Sequence, residues 1–306
     1  MSSPAVKHRF VVAKEDAGLR LDQVLAARVP GLSRRKARAL IEIGGVFVDR
    51  ARVKVAGRAM RPGQEIVAVI GPAFERASKD VGREARAKDA ADLPAFRVVH
   101  ADDDLVVVDK PAGLLTAPTP ESDRNNLAQL LGEQLGAKVL VVHRLDLGTS
   151  GLLVFARNEE TNRALAEVFR THDVERVYLA ALKGRVAWDE KTVTEPIQGK
   201  RAETRFTVLE RIGEDLTFVK CELRTGRTHQ IRIHAKHVGH PVMGDAQYGD
   251  PSPKDPRRMA LHATVLGFAH PRSGEALRFE SPWPDELAAW MDRLRNQGDA
   301  TTKAPP

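Results

Sequence analysis

Apolar positions fall into two regimes along the chain. Between residues 19 and 70 they recur at helical spacing and then in short strand-like runs. Leu21, Val24 and Leu25 share one helical face, and the pattern stops before Pro30-Gly31. Ala37, Leu40 and Ile41 form a second face behind Ser33, a good N-cap, and Gly44-Gly45 supplies a stop. Residues 46–48, 53–55 and 65–70 then read as strands, with turn residues and Pro62-Gly63 between them. From Phe96 onward strand-like runs dominate, at 98–99, 105–108, 139–142, 152–155, 218–223 and 231–233. One amphipathic helix is expected from about Glu159 to Arg170, with Ala164, Leu165, Val168 and Phe169 inward and Asn158 as its cap.

Strands grouped with few helices predict an α+β class with a mainly antiparallel mixed sheet, preceded by a small α/β domain. Residues 71–94 lose apolar periodicity and turn Ala-, Lys-, Asp- and Arg-rich, which reads as a linker able to become partly helical when bound. The domain plan is an extension at 1–18, a small domain at 19–70, a linker at 71–94, a larger domain at 95–290 and a tail at 291–306. Residues 297–306 are expected to be disordered.

The 306 residues suit two domains, and 42% hydrophobic with 29% charged residues is ordinary for a globular protein. The single cysteine, Cys221, excludes an internal disulfide and a cysteine-based zinc site, and points to a cytoplasmic location. Residues 1–18 carry charges throughout and predict no signal peptide, and no apolar run reaches the ~18 residues of a membrane span. Charge changes the picture more. Residues 1–92 hold 19 Lys+Arg against 11 Asp+Glu, a net of +8, and residues 93–306 hold 29 against 30, a net of −1. All the excess positive charge lies in the first third, as expected of a polyanion anchor joined to a near-neutral body. Arg34, Arg35, Lys36 and Arg38 crowd the exposed side of the second helix and can neutralise several phosphates. Few aromatics accompany them, so backbone and shape recognition of folded RNA is expected instead of base stacking.

Candidate chemistry centres on the run from His143 to Ala156, His-Arg-Leu-Asp-Leu-Gly-Thr-Ser-Gly followed by an apolar strand. It holds Asp146 in a short turn on the rim of a sheet. No Gly-rich phosphate loop, Gly-Lys-Ser/Thr or GxGxxG is present, which argues against nucleotide-driven chemistry. The segments Asp109-Lys-Pro-Ala-Gly113, His143 to Ala156, Glu175-Arg-Val-Tyr178 and Leu223-Arg-Thr-Gly226-Arg-Thr-His-Gln-Ile-Arg232-Ile-His234 occur in order. Gly239-His-Pro-x-x-Gly-Asp245-x-x-Tyr248-Gly, Leu261-His-Ala and His270-Pro follow. Together, over about 96–287, they resemble the RluA-type pseudouridine synthases. The order Arg-Leu-Asp-x-x-Leu-Ala, Leu-Ser-Arg-Arg, Ile-Glu-x-Gly-Gly-Val-x-Val and Pro-Gly-Gln-Glu-Ile over 19–70 resembles the S-four RNA-binding domain.

The resemblance implies an RNA uridine isomerase that needs no cofactor. The base must leave the stack, its bond to ribose must break, and the ring must turn and rejoin through carbon. A carboxylate suffices for this, and in a partly dry pocket it needs a nearby positive charge to stay ionised. By the resemblance Asp146 is that carboxylate, Arg232 its ion-pair partner, and Tyr178 stacks on the uracil and takes part in moving the ring proton. Arg144 would enter the RNA where the base has left, offsetting part of the few kcal/mol of extrusion. Arg227 joins Arg144, Arg34, Arg35, Lys36 and Arg38 as RNA contacts. His143 and Thr149 would support the loop, and Gly148, Gly151 and Gly226 would serve tight backbone geometry.

Plainer readings stay open. Asp146 alone could merely form its turn, Tyr178 could be a half-buried strand residue, and Arg232 could pair with a different acid. His229, His234, His237 and His240 suggest a metal, but their spacing does not place three on one helical face, and no metal site is expected. Two departures from the usual family pattern stand out. Residues 114–118 lack the histidine common after Lys-Pro-x-Gly, and Arg176 precedes Tyr178 where Lys-x-Tyr is usual. Large-subunit ribosomal RNA is the expected partner, with the protein acting as a monomer. Transfer RNA, a non-catalytic ribosome-assembly factor and a metal-dependent hydrolase are the rivals.

Overall fold

The computed structural model describes residues 5–79, 93–120 and 125–302. By internal contacts the chain divides into two units, one of residues 1–93 and 117–130, the other of 94–116 and 131–306.

In the first unit, β1 (Val6–Val11), β2 (Val46–Val48), β3 (Ala51–Arg52) and β4 (Glu65–Ile70) form one antiparallel sheet in the order β1-β4-β2-β3. Helices α1 (Leu21–Arg28) and α2 (Arg34–Glu42) bury Leu21, Val24, Leu25, Ala37, Leu40 and Ile41 against it. Ser33 caps α2 by accepting the Lys36 N–H, and Gly44 ends it at φ +82. Four expectations change here. The supposed extension contributes β1, paired along its length with β4. The strand expected at 53–55 lies at Ala51–Arg52. The linker begins later, because Pro72–Lys79 is a helix, α3, whose Phe74 packs into this core. The remainder of the expected linker, 80–92, lies outside the described residues. Residues 117–130, expected with the larger domain, belong to this unit, and Arg52 donates to the Thr119 carbonyl at 2.5 Å.

The second unit is built on β5 (Arg97–Ala101), β6 (Leu105–Lys110), β7 (Leu140–Val141), β8 (Ser150–Ala156), β9 (Glu175–Lys183), β10 (Glu190–Val193), β11 (Thr204–Ile212), β12 (Leu216–Leu223), β13 (Leu261–Ala269) and β14 (Ala276–Glu280). Among the described residues they form one sheet in the order β10-β11-β12-β9-β13-β8-β6-β5, with β14 on β13 and β7 on β8. Among the described residues only the β8–β13 pairing is parallel, so the sheet is mixed and mainly antiparallel. Every residue of β8 is buried, which explains its unbroken apolar run: covered on both faces, it shows no alternation. Burying Leu152, Leu153, Val154 and Phe155 contributes about 1.5–3 kcal/mol each.

The other helices are α4 (Leu127–Leu135), α5 (Glu159–Thr171), α6 (Gln230–His237) and α7 (Asp285–Thr302). Asn158 caps α5 by accepting the Thr161 N–H at 2.8 Å. Two expectations fail. Residues 231–233, read as strand, lie in α6. The short apolar alternation was ambiguous, and burial of Ile231 and Ala235 one helical turn apart decides for helix. The expected tail is helical to residue 302, with Trp290, Met291 and Leu294 packed into a core cluster; residues 303–306 lie outside the described range.

Candidate active site

The sheet itself sets the site. Gly151 on β8 and Tyr178 on β9 both register against Ala263 of β13, from opposite sides. Gly151 has φ +110, and a Cβ there would lie 2.2 Å from the Ala263 carbonyl oxygen. Only glycine lets β8 lie this close to β13, and the turn carrying Asp146 is the approach to that strand.

The turn is held from several directions. Thr149 N–H donates to the Asp146 carbonyl at 3.1 Å, and Gly113 N–H donates to the Leu147 carbonyl at 2.7 Å. The buried Thr116 hydroxyl donates to the Leu145 carbonyl at 2.9 Å and accepts the Leu145 N–H at 3.2 Å. His143 stacks on Phe169 with centroids 4.3 Å apart, and its Nε2 accepts the Val154 N–H. Burial, then the charge of Arg176, pushes its pKa down to about 3, so the ring is the neutral acceptor this bond requires. Gly148 differs from expectation: its φ is ordinary, and a Cβ would meet Met259 at an ordinary 3.4 Å.

Helix α6 brings Arg232 to the turn. Its Nη1 donates to Asp146 Oδ2 at 2.9 Å, while Nε and Nη2 donate to the buried Asp245 at 2.7 and 2.8 Å. The alternative partner acid left open by the sequence is thus present as well: Arg232 serves both. Burial opposes its charge, but the bonds to Asp245 and then Asp146 outweigh that and raise its pKa. Burial likewise opposes ionisation of Asp245, yet Arg232 and the N–H groups of Gln247 and Tyr248 hold it below the ordinary carboxylate range. The Tyr248 ring lies 4.9 Å from the guanidinium carbon.

Asp146 Oδ1, the oxygen not bonded to Arg232 Nη1, lies 3.6 Å from His229 Nε2. His229 sits at φ +57, and its Nδ1 is 3.0 Å from the Tyr248 hydroxyl. Asp146, Tyr178, Arg232, Arg144, Arg227 and His229 line one open pocket. Burial, with the nearby Asp146 charge adding to it, pushes Tyr178 up to about 12, so the phenol is neutral. Arg144 is exposed on the rim, and Arg227 donates to the Arg201 carbonyl.

Lys110 is wholly buried and donates to the carbonyls of Pro111 and Leu114. Burial first, and the charge of Arg258, pull its pKa down to about 7, while Asp146 acts in the opposite sense. Sequence reasoning assigned no role to Lys110, Asp245, Tyr248 or Thr116. The first three stood within quoted motifs, and pairing each charge with an opposite one would have singled out Asp245. The four histidines bond different groups. His234 bonds Thr204 and the Glu195 carbonyl, His240 the Lys183 carbonyl and His229 the Tyr248 hydroxyl, while His237 lies 4.0 Å from Glu195. In the first unit, Arg34 and Arg38 face the buried Asp22, at 3.7 and 2.7 Å. Arg35 and Lys36 are exposed and, among the described residues, form no ion pair.

Comparison with known proteins identifies the family. Residues 104–237 match the RNA pseudouridylate synthase family and residues 19–66 the S4 domain. The chain is 34% identical to an RNA pseudouridine synthase of Bacillus subtilis described as uncharacterized, over 94% of this chain and 98% of that protein. It is 37% identical to ribosomal large subunit pseudouridine synthase D of Nitrosomonas europaea, over 94% and 88%. The solved structure of human RNA pseudouridylate synthase domain containing 1 superposes with a TM-score of 0.55 at 26% identity, over 69% of this chain and 96% of that one. The chain therefore belongs to the RluA-type RNA pseudouridine synthases, isomerases of uridine, and carries an S4 domain ahead of its synthase domain.

Proposed function

We propose that this protein converts specific uridines of large-subunit ribosomal RNA to pseudouridine, acting as a monomer in the cytoplasm. The observation that carries the reading is Asp146, with Oδ2 tied to Arg232 and Oδ1 open to a pocket shared with Tyr178. The ribosomal substrate is supported by the names of relatives in Nitrosomonas and Escherichia, ribosomal large subunit pseudouridine synthases D and C. The S4 match and the +8 charge of residues 1–92 support an RNA anchor.

In this mechanism the target uridine flips into the pocket, and Arg144 fills the space it leaves. Asp146 promotes cleavage of the bond between N1 and C1′. The uracil turns over Tyr178, C5 bonds to C1′, and the proton on C5 is lost while N1 gains one. No atom or electron is exchanged with a cofactor. Because Tyr178 is a neutral phenol, it relays the proton, accepting one as it gives another, instead of acting as a free phenolate. Arg35, Lys36 and Arg227 contact phosphates. Transfer RNA and a non-catalytic role are disfavoured, the latter by the assembled Asp146–Arg232 pair.

Pseudouridine mapping across ribosomal and transfer RNA, from cells with and without the gene, tests the reading. Loss of sites in large-subunit RNA is expected. Loss in transfer RNA alone would redirect the substrate, and no loss anywhere would overturn the proposal.

A further inference from the structure

Among the described residues Arg176 is a buried cation without an acid. It is 9% exposed, and its Nε has no hydrogen-bond partner among them. Its one polar contact among the described residues is His172 Nδ1, 3.5 Å from Nη2. The Phe169 ring lies 5.7 Å from the guanidinium carbon, and His172 is the C-terminal cap of α5. A helix C-terminus and an aromatic face ease a buried charge but do not neutralise it.

The surroundings add positive charge. His172 is held below its ordinary pKa by burial, then by Arg176, Arg227 and Arg201. Of these, Arg201 pairs with Glu203, whereas Arg176 and Arg227 pair with no carboxylate among the described residues. Burial also draws the pKa of Arg176 down. A desolvated, unpaired guanidinium beside other cations is costly in the free protein and becomes favourable once an anion arrives.

Two placements say which anion. Arg176 and Tyr178 are two residues apart on β9, on one face of the strand and about 7 Å apart along it. Gly226 leaves the guanidinium room: a Cβ there would meet Arg176 Nη1 at 2.6 Å. Gly226 precedes Arg227, which lines the pocket. We infer that Arg176 holds the phosphodiester of the nucleotide whose base lies on Tyr178, with Arg227 as a second contact. This rests on the RNA reading above and adds a binding role for the arginine that replaces the usual lysine of the motif.

The test uses the full chain and a transcript of large-subunit ribosomal RNA. Arg176→Met removes the charge and keeps the stem. Affinity at moderate salt should fall about ten- to hundredfold, as for a lost charge-assisted bond. The slope of log affinity against log salt should shrink by about 0.7–0.9, one phosphate contact. The melting temperature should stay the same or rise, because the free protein loses an unpaired buried charge. Arg176→Lys should keep the slope while losing affinity, a point charge replacing a fork. An unchanged slope in Arg176→Met overturns the proposal, and so does a variant that melts much lower or fails to fold, since Arg176 is then a structural cation. Stabilisation of the wild type by inorganic phosphate, with no change in RNA slope, would assign the site to a free anion and equally overturn it. Pseudouridine formation by the wild type is measured on the same transcript. Its absence counts against the substrate reading, while the slope speaks only to Arg176.

Discussion

Asp245 grips Arg232 with both carboxylate oxygens, at 2.7 and 2.8 Å, whereas Asp146 takes only the remaining Nη1, at 2.9 Å. The guanidinium is thus oriented by the buried Asp245, and it presents one donor to Asp146, the acid to which the proposed mechanism gives the chemistry. The side chain of Asp245 is fully buried and that of Asp146 is 26% exposed. Asp245→Ala strands a buried charge and should cost about 3–5 kcal/mol of stability. Asp146→Asn leaves that grip intact and should cost under about 1 kcal/mol while abolishing pseudouridine formation. Denaturant titration beside a turnover assay checks both. Turnover in Asp146→Asn would refute the assigned chemistry.

Gly151→Ala should damage the same site through the backbone. The new Cβ cannot coexist with the Ala263 carbonyl, and φ +110 is strained for alanine. Strain and overpacking together should cost roughly 3 kcal/mol or more. Activity should fall further than stability alone explains, because β8 must move off β13 and carry the Asp146 turn with it. Gly148→Ala, at ordinary φ and spacing, should be nearly neutral in the same thermal melts.

Lys110 makes stability depend on alkaline pH. Its folded pKa of about 7 lies below the ordinary 10.5, so between those values the unfolded chain binds a proton that the folded chain lacks. Stability therefore rises with pH across that window, and the cost of burying the cation is fully present below about pH 7. Lys110→Met should remove this rise. Denaturant midpoints at several pH values, wild type against variant, read the difference, and parallel curves would refute it.

On helix α2 the four cations should separate into two kinds. Arg34 and Arg38 compensate the buried Asp22, while Arg35 and Lys36 face solvent. Replacing Arg35 and Lys36 with glutamine should lower the salt slope of RNA binding by about 1.4–1.8, two phosphate contacts, with the melting temperature unchanged. Replacing Arg38 should chiefly lower stability. Equal slopes for the double variant and the wild type would remove this helix from the RNA contact.

Much of the architecture was legible in the sequence because it depends on local chemistry. Ser33 and Asn158 announced their helices through hydrogen bonds spanning three residues, and the inward faces of α2 and α5 follow from a 3.6-residue period. Residues 231–233 were misread because a few alternating apolar positions satisfy either period. Packing of Ile231 and Ala235 one turn apart, a long-range event, made the choice. β1 was missed for a related reason: its burial pattern is largely exposed, and its place comes from pairing with β4, more than fifty residues away.

The sequence alone pointed to the reaction class, because Asp146, Tyr178 and Arg232 lie in motifs that resemble those of the RluA-type pseudouridine synthases. It could not decide what holds them. Asp245 and Asp146 are 99 positions apart and become partners only through the guanidinium of α6. Whether Gly151 marks a flexible turn or a close strand approach likewise depends on Ala263, 112 positions on. Charge pairing and backbone clearance are properties of groups brought together by the fold, so tertiary structure alone decided that Asp245 is the acid gripping Arg232 from its other side.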